Sequence, residues 1–189
     1  MLPGALQHDA LSRARRTSHA AVGVIRTDRL LLRPARPDDL LPLHSIFSDT
    51  GAMRYWSHPA HEDLEPTRRF LEGFMTEDAK NRFEYIVEFD GTCIGKAGMW
   101  ARPEIGYILH PDHWGKGFAY EALSAVLPRI FERHEDLEHL TAECDPRNAA
   151  SVKLLEKLGF RQTGLIEKNF LYGETEWCDT AYFRLDRPN

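Results

Sequence analysis

Cysteine is scarce in this 189-residue chain: Cys93, Cys144 and Cys178 are the whole set. An odd number without a close pair builds neither a disulfide framework nor a zinc ribbon, so the thiols are read as reduced and the expected location as cytoplasmic. Long apolar runs are missing too. Nothing approaches the roughly 18 to 20 apolar residues that a spanning helix needs, and the mean hydropathy is −0.46, so no membrane role is expected. Positive charge is not in excess. Lys plus Arg number 24 against 29 Asp plus Glu, a formal net charge of −5, so no global basic field gathers nucleic acid. Repeats and low-complexity tracts are absent as well.

The charge that exists is unevenly placed. Residues 1–26 hold Arg13, Arg15, Arg16 and Arg26 against Asp9 alone, a net +3 that leaves −8 for the remainder. Residues 1–25 are therefore set apart as a basic extension, open to reading as a transit peptide, a short helix or a loose leader. They lack the apolar stretch and small-residue cleavage site of a secretory signal. Residues 26–189 are expected to form one domain, a size at which a chain buries a full core.

Within that domain the pattern alternates between strands and helices. Residues 29–36 read as a short edge-type or terminal strand because a central strand would not accept Pro34. A helix follows Pro37-Asp38-Asp39, and another is expected over about 65–79, with Phe70, Leu71, Phe74 and Met75 at helical spacing. Phe83 to Phe89 alternates, Asp90-Gly91 supplies a tight hairpin turn, and the next two segments extend the run to three consecutive antiparallel strands. An apolar stripe from Ala119 to Phe131 marks a long helix, and His139 to Cys144 a short strand. Asn148 to Leu158 reads as a helix closed by Gly159 and Phe160, and a last hairpin turns around Tyr172-Gly173-Glu174. The fold class is α+β, with a mixed and mostly antiparallel sheet.

The chemistry concentrates where the third strand of that run meets the long helix. Gly115 and Gly117 remove side chains from the turn, so main-chain N–H groups can close on an anion while the helix N-terminus adds a favourable dipole. A diphosphate fits such a turn. A Walker loop does not fit, because Phe118 follows Gly117 where Lys and Ser/Thr are required; a dinucleotide fold does not fit, because the preceding strands read as antiparallel.

Trp114-Gly115-Lys116-Gly117-Phe118-Ala119, followed by the block from Asn148-Ala149-Ala150-Ser151 to Lys157-Leu158-Gly159-Phe160, resembles the GNAT superfamily of N-acetyltransferases. The first block occupies the acyl-CoA loop; Trp114 departs from the usual first residue in a way common in the branch named for ribosomal-protein N-acetyltransferases. The resemblance spans residues 26–186. It implies a GNAT-type sheet with a splayed central strand pair, acetyl-CoA as co-substrate and no metal. It also implies transfer of acetyl by direct attack of a primary amine, on a peptide N-terminus or a small molecule. Gly115 to Ala119, with Trp114 and Lys116, would hold the diphosphate; Ile108 and Leu109 would pair with the pantetheine amides; Asn148 and Ser151 would line the wedge.

Such a transfer needs a base, an oxyanion donor and a proton for the thiolate. Glu104 is the candidate base, with Glu143 and Glu167 behind it, against a plain strand carboxylate facing solvent. The Leu109 N–H is the candidate oxyanion donor. The tyrosine acid usual in the superfamily falls on Leu155, so Ser151 is the nearest substitute and Tyr172 a reserve. Another acyl group such as succinyl, or a CoA-binding regulator without turnover, are the alternatives. His58 with His61 and His110 with His113 invite a metal, but neither pair has further ligands at a recognisable spacing. Trp56, His58 and His61 are assigned either to the acceptor pocket or to packing; Trp177, Tyr107 and Phe170 either to the acceptor channel or to a homodimer interface.

Overall fold

The computed structural model describes residues 23–76 and 82–188. The basic extension expected at 1–25 thus lies outside the described residues up to residue 22, as does the far end of the helix expected over 65–79. The strands are β1 (Ile25–Arg26), β2 (Leu31–Arg33), β3 (Phe83–Phe89), β4 (Thr92–Ala101), β5 (Glu104–Leu109), β6 (His139–Cys144), β7 (Arg161–Tyr172) and β8 (Glu176–Asp186). The helices are α1 (Leu40–Phe47), α2 (Leu64–Met75), α3 (Phe118–Arg133) and α4 (Ala149–Lys157). Among the described residues no helix is long and apolar enough to cross a membrane.

One eight-stranded sheet runs in the order β1-β2-β3-β4-β5-β6-β8-β7. The first five strands pair antiparallel in chain order: β1–β2, β3–β4 and β4–β5 are joined by short reversals, whereas α1 and α2 lie in the chain between β2 and β3. Asp90 and Gly91 both take positive φ (48° and 76°), the backbone a two-residue hairpin of right-handed strands demands. Leu31–Arg33 is not the edge the sequence suggested. β1 pairs outside it, and Pro34 falls just beyond the strand, where its missing N–H breaks no ladder.

The sheet carries helices on both faces. Ile86, Cys93 and Ile108 pack with Leu43, Phe47 and Leu71 of α1 and α2 on one side. Ile105, Leu109, Leu140 and Ala142 pack with Leu123, Val126, Ile130 and Leu155 of α3 and α4 on the other. α3 must cross over to return the chain beside β5, so β6 lies parallel to it. β8 and β7 then extend the sheet antiparallel, and Gly159 closes α4 with φ +92°.

A buried ion triad fastens β2 to this frame. Arg33 is 4% exposed and Asp39 2%. The Arg33 guanidinium donates to both Asp39 oxygens at 2.8 and 2.6 Å and also to Glu88 on β3, while the Arg36 N–H donates to Asp39 at 2.7 Å. Removing one member strands the others in the interior without water. Arg33→Ala should lower the free energy of unfolding in urea by about 3–5 kcal/mol, and Arg33→Lys should recover little because an ammonium cannot serve both carboxylates in a fork. A loss below about 1 kcal/mol, the size of a surface pair, would contradict this account.

Candidate active site

β5 ends at Leu109 and α3 begins at Phe118, joined by a short turn through Pro111–His113 and the two glycines. Gly115 has φ +70° and Gly117 φ +80°, the latter as the residue preceding the helix. The open surroundings of Gly115 show that the need is conformational rather than steric. Alternating handedness around Lys116 leaves successive N–H groups free to converge, and the first N–H groups of α3 have no partner within the helix. Trp114 stands half-exposed with its indole N–H donating to the Leu109 carbonyl at 2.8 Å, pinning the turn to the strand end. Phe118 is buried and so offers only its backbone to a ligand.

The strand leading into this turn has an unused edge. Between β5 and β6 a single register pair forms, Glu104 with Thr141, after which the strands separate. The His110 N–H bonds to the Ile94 carbonyl on β4. By the alternation of an antiparallel ladder, the backbone groups of Leu109 and Tyr107 therefore face β6. The groove and the anion turn are thus continuous along one backbone.

A cavity of about 560 Å³ opens at the Glu104 end. Gly106 of β5 lines it, where a methyl would press to 3.2 Å from the Trp100 ring. Trp56, Trp100 and Phe170 form apolar walls, and Glu104, Glu143 and Asp179 bring carboxylates. The cations at the wall are already engaged. Lys96 is buried against Glu84 beneath Trp56 and Phe70, and Arg54 donates to Glu176 at 3.0 Å. Arg147 shares that same Glu176 oxygen at 2.7 Å, joining the loop after β6 and the loop after α1 to β8.

Glu104 lines the cavity half-buried. Burial raises its carboxyl above the ordinary glutamate range, against a hydrogen bond from the Trp100 side chain and with further help from the Glu143 charge. Ser151 sits in the first turn of α4, whose cap is the Asn148 side chain accepting from the Ser151 N–H at 3.2 Å. The Asn148 carbonyl oxygen is therefore occupied in starting the helix. Tyr107 was assigned only to a channel or an interface by its sequence. It lines the cavity from the α3–α4 face with its hydroxyl beside Ser151, and burial pushes its phenol up to about 12. Spacing offers no signal for this, because Tyr107 and Ser151 meet only through the β5–α3–β6–α4 crossover.

The remaining candidates separate cleanly. Tyr172 lines the cavity, but its hydroxyl donates to the Met53 carbonyl at 3.0 Å, which commits its proton to a tether. Glu167 is exposed on β7 and away from the cavity, whereas Glu143 lines it. Phe170 lines it too; Trp177 is exposed on β8, outside it. His58 stacks on His61 at 5.0 Å, and His44 and His61 both bond the buried Thr67 hydroxyl, at 2.9 and 2.7 Å. Among the described residues no three His, Cys, Asp or Glu side chains gather as a metal site. Cys144 stands beside the groove, where burial pushes its thiol up to about 11.

The family described as Acetyltransferase (GNAT) domain matches residues 29–161. The chain is 33% identical over 149 residues to an uncharacterized N-acetyltransferase, p20, of Bacillus licheniformis, covering 74% of this chain and 83% of the relative. It is 26% identical over 164 residues to the spermidine N(1)-acetyltransferase of Vibrio cholerae, covering 82% and 92%. Its fold superposes on a GNAT-family acetyltransferase from Bacillus anthracis with a TM-score of 0.75 at 28% identity, over 87% of this chain and 98% of the other. It also superposes on RimL, a ribosomal L7/L12 α-N-protein acetyltransferase solved with coenzyme A, with a TM-score of 0.74 at 20% identity, over 87% and 98%.

The raised carboxyl of Glu104 has a thermodynamic sign. A group that binds its proton more tightly when folded contributes stability below its unfolded pKa and loses it as pH rises through the folded value. Glu104→Gln should therefore melt higher than the parent at pH 7, with the gap closing as pH falls through the carboxylate range. A variant that melts lower at pH 7 would contradict the burial argument.

Proposed function

Because the chain belongs to the GNAT acetyltransferase family, we propose that the β5–β6 groove takes the pantetheine arm of acetyl-CoA and the cavity beside Glu104 takes the amine. The protein is an N-acetyltransferase, and enzymes of this family use acetyl-CoA. The observation that carries the finer reading is the continuity of the free β5 edge with the glycine turn before α3. Tyr107 offers N–H and C=O to an extended amide chain as an added strand would require, beside the Leu109 N–H, while the Leu109 carbonyl already takes the Trp114 indole. Gly115 to Ala119 cradle the diphosphate, with Trp114 and Lys116 bordering it and Ile108 fixing the strand from the α1 side.

Glu104 takes the proton that the ammonium form of the acceptor must lose, through a water, and its raised carboxyl makes it a better base than an exposed glutamate. The freed nitrogen lone pair attacks the thioester carbonyl carbon, and the Leu109 N–H receives the oxygen as it becomes anionic. When the oxyanion re-forms its carbonyl, the C–S bond breaks and the pair leaves on sulfur. Ser151, supported by the Tyr107 hydroxyl, donates a hydrogen bond to that sulfur; the proton shed by nitrogen completes the thiol. Tyr107 stays protonated at every working pH, so it is a constant donor rather than a titrating acid.

The carboxylates and aromatic walls of the cavity favour an acceptor that arrives positively charged. A basic peptide N-terminus and a polyamine both satisfy this; the spermidine acetyltransferase relative has the second kind of acceptor.

The test is thiol release from acetyl-CoA across a panel of primary amines. Glu104→Gln should lower kcat roughly 100-fold and flatten the acid limb of the pH profile while leaving CoA affinity unchanged. Ser151→Ala and Tyr107→Phe should each lower kcat by roughly 10-fold without that change in pH profile. Tight acetyl-CoA binding with no thiol release from any amine would overturn the enzymatic reading of this cavity.

A further inference from the structure

The glycine turn has a partner from the far end of the chain. Arg29, in the turn between β1 and β2, donates from Nη1 to the Lys116 carbonyl at 2.9 Å and from Nε to Glu121 at 2.7 Å. Its Nη2 lies 2.6 Å from the same Glu121 oxygen, and its guanidinium covers the Phe118 ring at 4.4 Å. The Arg29 N–H and the Thr27 hydroxyl both donate to the other Glu121 oxygen. Thr27 also accepts from the Leu30 N–H at 2.9 Å, so the clasp is held by its own turn. A methyl at Gly117 would sit 3.5 Å from Arg29 Nη2, which places the guanidinium directly against the loop.

Two consequences follow for an anion in the turn. A trans peptide sets its C=O and N–H on opposite sides. With the Lys116 carbonyl held by Arg29, the Gly117 N–H must point away from the guanidinium. Gly117 has no Cβ to resist rotation of that peptide, so without the clasp the plane can flip and present a carbonyl oxygen to an anion. The second consequence concerns Glu121. It lies in the first turn of α3, where an unpaired carboxylate would repel a phosphate, and Arg29 neutralises it.

We propose that Arg29 is the positioning residue for the diphosphate of the acyl donor, acting through the Lys116–Gly117 peptide and through the charge of Glu121. This rests on the reading of the groove as a CoA site. It makes a statement that a fastening of β1 to α3 would not: the effect of Arg29 must depend on the diphosphate.

The experiment compares acetyl-CoA with S-acetylpantetheine, which carries the same thioester but no phosphates, on the parent, Arg29→Ala and Arg29→Lys. Arg29→Ala should raise the acetyl-CoA KM and the CoA Kd by roughly 10-fold or more, with kcat at saturation within about two-fold, and leave S-acetylpantetheine turnover unchanged. Arg29→Lys should recover only part, because one ammonium cannot hold the carbonyl and the carboxylate together. Adding Glu121→Gln to Arg29→Ala should restore part of the affinity by removing the exposed charge. Equal losses with both donors would overturn the proposal in favour of a purely structural clasp, as would an unchanged CoA Kd. Parent protein that binds no CoA at all would remove the site reading itself, a result distinguishable because the variants then play no part.

Discussion

One interruption in a ladder organises this molecule: β5 and β6 begin as neighbours and then stop pairing. A buried strand edge leaves N–H and C=O groups that require partners. Here the requirement is met by direction. The Leu109 carbonyl takes the Trp114 indole, and the rest of the edge faces a groove open to a ligand of extended amide chemistry. The crossover helix α3 both forces β6 into parallel alignment and starts at the groove's mouth, so the gap and the anion turn share a cause. The groups around the gap follow from it: Tyr107 and Ser151 on one face, Glu104 and Gly106 on the other.

Electrostatics in this frame is arranged by pairing rather than by net charge. Arg33 with Asp39 and Glu88, and Lys96 with Glu84, are buried between strands, where each charge depends on its partner. With Lys96 bound to Glu84 and Arg54 to Glu176, the carboxylates of Glu104, Glu143 and Asp179 form no ion pair at the cavity among the described residues. The formal charge of −5 says little about the acceptor; the local distribution says more.

Much of this was legible in the sequence because the governing interactions are local. Asp90-Gly91 specifies its hairpin through two positive φ angles, Gly115 and Gly117 specify a turn, and Gly159-Phe160 closes α4. Glu104 was legible as a residue type beginning a strand, but its burial beside Trp100 was not. What stayed hidden depends on contacts across long stretches of chain. β1 is two residues long and carries no pattern of its own, so β2 was read as the edge. Thr27 and Arg29 reach Glu121 over more than 90 residues, Tyr107 meets Ser151 across two elements, and Tyr172 donates to Met53 from the opposite end of the sheet. No periodicity encodes such meetings.

The central claim is that main-chain groups at the end of β5 and around Gly115–Ala119 receive the acyl donor. The most direct measurement is residue-resolved amide hydrogen exchange with and without coenzyme A. Slowed exchange at Leu109 and at Gly117 to Ala119, with the β7–β8 hairpin unaffected, is the expected result. Coenzyme A that binds while those amides exchange at their free rates would contradict the account.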